Sequence, residues 1–147
     1  MAPHQANSEY EVSTDKRRLD VAAIHEYLAQ SYWSPGVPRA VIERALEGSL
    51  CFGVFRQGKQ VGFARVVTDS ATFAYLSDVF ILEPHRRKGL SKLLMEFVFA
   101  HPDLQGLRRF MLATRDAHGL YKQFGFTELS DSALFMELHR PHVYKAL

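Results

Sequence analysis

Residues 84–95 read PHRRKGLSKLLM, in which two arginines and a lysine run into a glycine and the glycine opens an apolar helical pattern. In such a place the backbone N–H groups of Arg87, Lys88, Gly89, Leu90 and Ser91 can turn outward into one concavity. They add to the positive end of the helix dipole, and both effects favour a phosphate. Gly89 lets an oxyanion approach without a Cβ in the way. Arg86 and Arg87 can bring charge-assisted hydrogen bonds to a second phosphate. The pattern therefore points to a diphosphate held by a loop and a helix N-terminus.

A second glycine-rich stretch is a decoy. Residues 53–60, GVFRQGKQ, nearly spell the phosphate loop of the nucleotide triphosphatases, G-x-x-x-x-G-K-[ST]. Gln60 stands where a hydroxyl must hold magnesium, and a strand pattern comes after it where that motif must open a helix. A hairpin turn on Gly58 is the better reading. Cys51 is the only cysteine, which excludes an internal disulfide and a multi-cysteine zinc site. There is no G-x-S-x-G and no H-E-x-x-H, and His139 and His142 are a poor metal pair across a proline, so no metal is expected.

The elements that must position the basic loop can be read from periodicity. Residues 10–14 alternate weakly as a first strand. Asp20 is a suitable N-cap for a helix with Val21, Ile24, Leu28 and Tyr32 at helical spacing, broken by SPGVP at 34–38. Pro38 opens a second short helix. Strands over 50–55 and 61–67, then 72–81, predict an antiparallel meander. Leu90, Leu93, Leu94, Phe97, Val98 and His101 mark one face of a helix of about three turns. A buried strand over 108–114 then implies a parallel crossover. A short helix capped by Asp116 and stopped by Gly125 comes next, and an alternating stretch at 134–140 predicts a closing strand. The fold class is α+β: a mixed, mostly antiparallel sheet of six to seven strands with about four helices.

At 147 residues, 47% hydrophobic and 23% charged, the chain suits one globular domain, expected over 9–147 behind a loose tail at 1–8. The net charge of +2 gives no global field for nucleic acid or an anionic membrane, and no apolar run is long enough to span a bilayer. The N-terminus lacks the apolar core of a secretory signal, so a cytoplasmic protein is expected.

Two stretches resemble one family. DVFILEPHRRKGLSKLLMEFV is similar to the acyl-coenzyme A binding segment of the GNAT N-acetyltransferases, whose [QR]-x-x-G-x-[GA] is met at Arg86, Gly89 and, as a variant, Ser91. TRDAHGLYKQFGF resembles the family's N-x-x-A-x-x-L-Y-x-x-x-G-F at Ala117, Leu120, Tyr121, Gly125 and Phe126, with Thr114 in place of Asn. Pro84 also lies one residue nearer to Arg86 than is common. The order and layout of elements agree from about residue 9 onward.

The resemblance implies acetyl-coenzyme A as cofactor, with its diphosphate on 86–91. Its pantetheine arm would run along Val79, Phe80 and Ile81 where that strand splays from 108–114. Thr114, His118 and Tyr121 fall on the same cofactor side. It implies direct attack by a small-molecule amine, an oxyanion met by a backbone N–H near Phe80, and Tyr121 as the acid that protonates the leaving thiolate. Asp78, a carboxylate inside a strand, is the first candidate for the base, ahead of His25, His118 and Glu26. Tyr32 and Trp33, between the first two helices, are expected to contact the acceptor, with Asp78 beside them. A monomer or homodimer is expected, and a GNAT-like acyl-coenzyme A sensor without efficient turnover is the alternative.

Overall fold

The structure is a computed structural model and describes residues 9–146; the tail expected at 1–8 lies outside them. Five strands form one sheet in the order β1-β2-β3-β4-β5: β1 Tyr10–Ser13, β2 Leu50–Arg56, β3 Lys59–Thr68, β4 Phe73–Ile81 and β5 Arg109–Leu112. The first four are antiparallel neighbours and β5 joins β4 in parallel, so the sheet is mixed. Gln57 and Gly58 make the two-residue hairpin between β2 and β3. Both have positive φ, 51° and 79°, which matches the twist of the strands they join.

Four helices complete the fold: α1 Val21–Ala29, α2 Arg39–Glu47, α3 Leu90–Ala100 and α4 His118–Lys122. Asp20 caps α1 by accepting from Ala23 N–H at 3.0 Å. The sheet separates two cores. Leu90, Leu93, Leu94, Met95 and Val98 of α3 pack with Val54, Val66 and Leu76, while Ile24, Leu28, Ile42 and Leu46 of α1 and α2 pack with Cys51, Phe63 and Phe80. Phe97, expected on the buried face of α3, is 41% exposed, and Met95 is the buried neighbour instead.

The sheet has five strands among the described residues, not six to seven. The stretch at 134–140 has the alternation of a strand but pairs with no neighbour, because alternation specifies a face and not a partner. Helix α1 also stops before Tyr32. The Ser31 hydroxyl donates to the Leu28 carbonyl at 2.7 Å, a side-chain bond that competes with the next helical turn, and Gly36 N–H closes back on Ala29 at 2.9 Å. Helix α4 begins after Ala117 rather than at Asp116, with the Thr114 hydroxyl accepting from Ala117 N–H at 3.1 Å.

Two features of β4 shape the space beside it. Its pairing with β3 passes from Phe63↔Phe80 to Arg65↔Ser77, so Asp78 and Val79 together oppose Ala64 alone. This bulge puts Asp78 at φ 55° and turns its side chain out of the normal alternation. Its pairing with β5 ends at Leu76↔Leu112, after which the two strands part. The splay expected from the sequence lies there.

Candidate active site

A cleft of about 900 Å³ occupies the splay, walled by β4 from Tyr75 to Ile81 on one side and by Leu112–Ala117 with Leu120 and Tyr121 on the other. At one end it meets a recess of about 190 Å³ lined by Ile81, His85, Arg86, Arg87, Gly89, Leu90 and Ser91. Ile81, Arg86 and Ser91 line both, so the two spaces are continuous.

The recess is formed by the basic loop and the first residues of α3. Gly89 caps α3 at φ 76° and Arg87 also has positive φ, 62°, which turns successive amides toward one side. Among the described residues the amides of Arg87 through Ser91 make no hydrogen bond within the chain, whereas Leu93 N–H returns to Gly89 O at 3.0 Å. Four of these residues, Arg87, Gly89, Leu90 and Ser91, line the recess, and their donors remain for an anion at the positive end of a helix. The Arg86 side chain is partly committed elsewhere. Its Nε donates to Ile81 O at 2.8 Å and its Nη2 to the Tyr27 hydroxyl at 3.1 Å, fastening the loop to β4 and α1. Lys88 is exposed and does not line the recess.

Along the cleft wall, Val79, Phe80 and Ile81 have no neighbour on the β5 side, so their outward backbone groups can pair with an extended ligand. Phe80 is fixed from behind by Tyr27, stacked at 4.0 Å between ring centroids. Thr114 also lines the cleft, but its hydroxyl is engaged as the acceptor at the start of α4. His118, expected on the cofactor side, is exposed and does not line the cleft.

Tyr121 lies on the far wall, 7% exposed, and its phenol is pushed up to about 12, first by burial and then by Tyr32 and Asp116 nearby. It is thus protonated throughout the neutral range and able to give a proton to a strong base at close quarters. Cys51, 1% exposed within β2, is raised by burial and faces the core beneath α2, so it supplies no nucleophile.

At the acceptor end, the loop after α1 presents Tyr32 and Trp33, 49% and 39% exposed. Both carboxylate oxygens of Asp78 are occupied: the Trp33 indole N–H donates to Oδ1 at 2.8 Å and Arg65 Nε to Oδ2 at 2.7 Å. Arg65 is itself placed by the Ser49 hydroxyl at 3.0 Å. The pair is largely buried, with 18% of the Arg65 side chain and 8% of the Asp78 side chain exposed. Tyr32 reaches across the splay. Its hydroxyl accepts from Arg115 N–H at 3.3 Å while the Arg115 guanidinium lies 3.8 Å from its ring centre, a cation–π contact.

Sequence reasoning missed Arg65, Tyr27 and Arg115. Arg65 carried a signal, a lone arginine amid the apolar VGFARVV, which asks for a buried counter-charge. Tyr27 and Arg115 carried none, since each meets its partner through a contact far apart in sequence.

The mixed sheet thus opens between its fourth and fifth strands, with a basic, amide-bearing recess at one end of the gap and a buried phenol within it. The description "Acetyltransferase (GNAT) family" matches residues 17–126. The Gibberella zeae protein FG08082, itself assigned as an acetyltransferase by inference, is 34% identical over 136 residues, covering 77% of this chain and 76% of that one. A crystal structure from Xanthomonas campestris pv. campestris, placed by inference among the GNAT acetyltransferases, is 54% identical with a TM-score of 0.90, covering 92% of this chain and 96% of the other. The ribosomal-protein-S18-alanine N-acetyltransferase of Escherichia coli shares the fold alone, at 21% identity, TM-score 0.66 and coverage of 82% and 79%. The chain belongs to the GNAT acetyltransferase family and is an acyltransferase. Members of this family generally use acetyl-coenzyme A and act on amines of small molecules or proteins. No described helix is long and apolar enough to cross a membrane.

Proposed function

We propose that the protein is an N-acetyltransferase that moves an acetyl group from acetyl-coenzyme A to a primary amine of a small molecule, by direct attack with both substrates bound. The observation that carries this reading is the continuity of the unpaired amides at 87–91 with the free edge of β4 and the phenol of Tyr121. These residues fit the cofactor: a diphosphate suits the amide recess, and an amide-bearing arm suits the backbone of Val79–Ile81. When bound, acetyl-coenzyme A supplies an acyl group already activated as a thioester.

The chain's own residues do the rest. The backbone beside Phe80, held rigid by the Tyr27 stack, offers the fixed donor that a developing oxyanion needs. Tyr121 holds the proton that a departing thiolate takes. Asp78, the first candidate for the base, has both oxygens taken and acts instead as the positioning residue for Trp33. The amine then loses its proton to water, and Tyr32 and Trp33 hold the acceptor's body at the mouth. The acceptor favoured by this aromatic mouth carries a flat or apolar body beside its amine.

The test is a thermal shift with acetyl-coenzyme A followed by thiol release over a panel of amines with and without such a body. Stabilisation together with turnover of the bulky amines is expected. The absence of a shift would remove the cofactor assignment, and a shift with no turnover of any amine would remove the acceptor assignment.

A further inference from the structure

Four charged side chains line the cleft: Asp78, Arg86, Arg115 and Asp116. Two of them already have partners. Both oxygens of Asp78 are engaged, and Arg86 is tied to Ile81 and Tyr27. Arg115 and Asp116 differ. Among the described residues neither side chain enters an ion pair or a hydrogen bond, although both stand at the cleft wall.

Arg115 is nevertheless held in place. Its backbone N–H donates to the Tyr32 hydroxyl at 3.3 Å, and its guanidinium lies 3.8 Å from the centre of the same ring. A ring face answers the charge without supplying a lone pair, so the N–H fork stays open. The Tyr32 oxygen accepts from Arg115, which leaves its own O–H free as a further donor. An arginine fixed before binding loses less freedom on pairing, and its planar fork matches a carboxylate in two parallel bonds. Arg115 does not line the phosphate recess, so its charge faces the other substrate.

Asp116 is the complementary charge. It is close enough to Tyr121 to help raise that phenol, so it stands beside the group that protonates the thiolate. One open cation and one open anion in a single cleft fit an acceptor that carries both signs. An apolar body has its place too, since Tyr32 and Trp33 meet edge to face at 5.0 Å beside Arg115. We propose, resting on the acetyl-transfer reading above, that the acceptor is a free amino acid with a bulky apolar side chain. Arg115 and Tyr32 hold its carboxylate and Asp116 its ammonium. A phosphate dianion is less suited, because one guanidinium would have to balance two charges with Asp116 next in the chain.

Thiol release from acetyl-coenzyme A with four acceptors of one body tests this: phenylalanine, its amide, phenethylamine and the aminophosphonate analogue of phenylalanine. The amide also stands for the N-terminus of a peptide. Phenylalanine is expected to have a KM roughly 10–100-fold below those of the amide and phenethylamine, the worth of a charged hydrogen bond. Arg115→Ala should close that gap by raising the KM of phenylalanine alone, and Arg115→Lys should restore part of it. Asp116→Asn should raise the KM of phenylalanine, the amide and phenethylamine alike.

Equal KM values for phenylalanine and its amide in the native protein overturn the proposal, as does a preference for the aminophosphonate. So does an Arg115→Ala that impairs every acceptor to the same degree, as loss of a mere brace would, or that raises the KM of acetyl-coenzyme A instead. Native KM values in Asp116→Asn remove the ammonium contact and with it the paired-charge acceptor. In each of these cases turnover of some amine leaves the acetyl-transfer reading standing, whereas turnover of none removes both.

Discussion

Tyr121 and Asp78 are both polar groups at the cleft, and their surroundings give them opposite characters. Among the described residues no acceptor meets the Tyr121 hydroxyl, and burial pushes its phenol up to about 12. Tyr121→Phe should therefore lower kcat by roughly 10²–10⁴ while leaving the KM for acetyl-coenzyme A nearly unchanged, as steady-state kinetics would measure. The sign of the shift sets a second expectation. A phenol raised above its ordinary value stays protonated until the pH passes the raised value, so phenolate absorbance from Tyr121 should rise near pH 12 and not near 10. Any alkaline fall in rate below that range should persist in Tyr121→Phe. Asp78 by contrast is an acceptor already engaged at both oxygens, by Trp33 and Arg65. Asp78→Asn should raise the KM of bulky acceptors about tenfold, the worth of one charge-assisted hydrogen bond, with kcat little altered across pH. A base role would instead depress kcat at neutral pH and let it recover as the amine deprotonates.

At the scale of elements, the loop before α3 and the bulge in β4 do most to make the site. Gly89→Val should weaken acetyl-coenzyme A more than Arg86→Ala in calorimetry. The valine meets a φ of 76° and fills the recess, whereas Arg86 spends its bonds on Ile81 and Tyr27. Gly62 in β3 is under a similar constraint, because an added Cβ would lie 2.7 Å from Ile81 Cδ1 and 3.1 Å from Phe80 O. Gly62→Ala should cost about 1–3 kcal/mol in denaturant unfolding, and should loosen β4 beside the cleft. These local requirements are unevenly legible in the sequence. The basic loop, the meander and the second motif are readable because each is written in consecutive residues or a fixed period. The bulge at Asp78 is not, since it depends on how β3 and β4 slip past one another. Tyr32 keeps the spacing of α1, so periodicity alone carries the helix over it, although Ser31 and Gly36 terminate the helix earlier.

The whole molecule is a sheet between two unlike layers. The α3 side carries a continuous apolar core, and the α1–α2 side carries a smaller one from which the acceptor loop springs. Leu94, with no exposed surface, lies in the first and does not itself line the cleft. Leu94→Ala should cost about 2–5 kcal/mol in urea unfolding and leave the kinetic constants of the folded fraction intact. Equal loss of catalysis by the folded fraction would mean that the α3 layer sets the cleft's width.

The burial of Cys51 bears on how this enzyme is assayed. Acyl transfer liberates a free sulfhydryl, which colour-forming disulfides detect directly. With its lone thiol 1% exposed and hard to ionise, the native protein should add almost nothing to that background. Full denaturation should release one equivalent per chain. The same reagent therefore counts turnover while the fold holds, and a slow drift toward one equivalent in a substrate-free control reports the fold giving way.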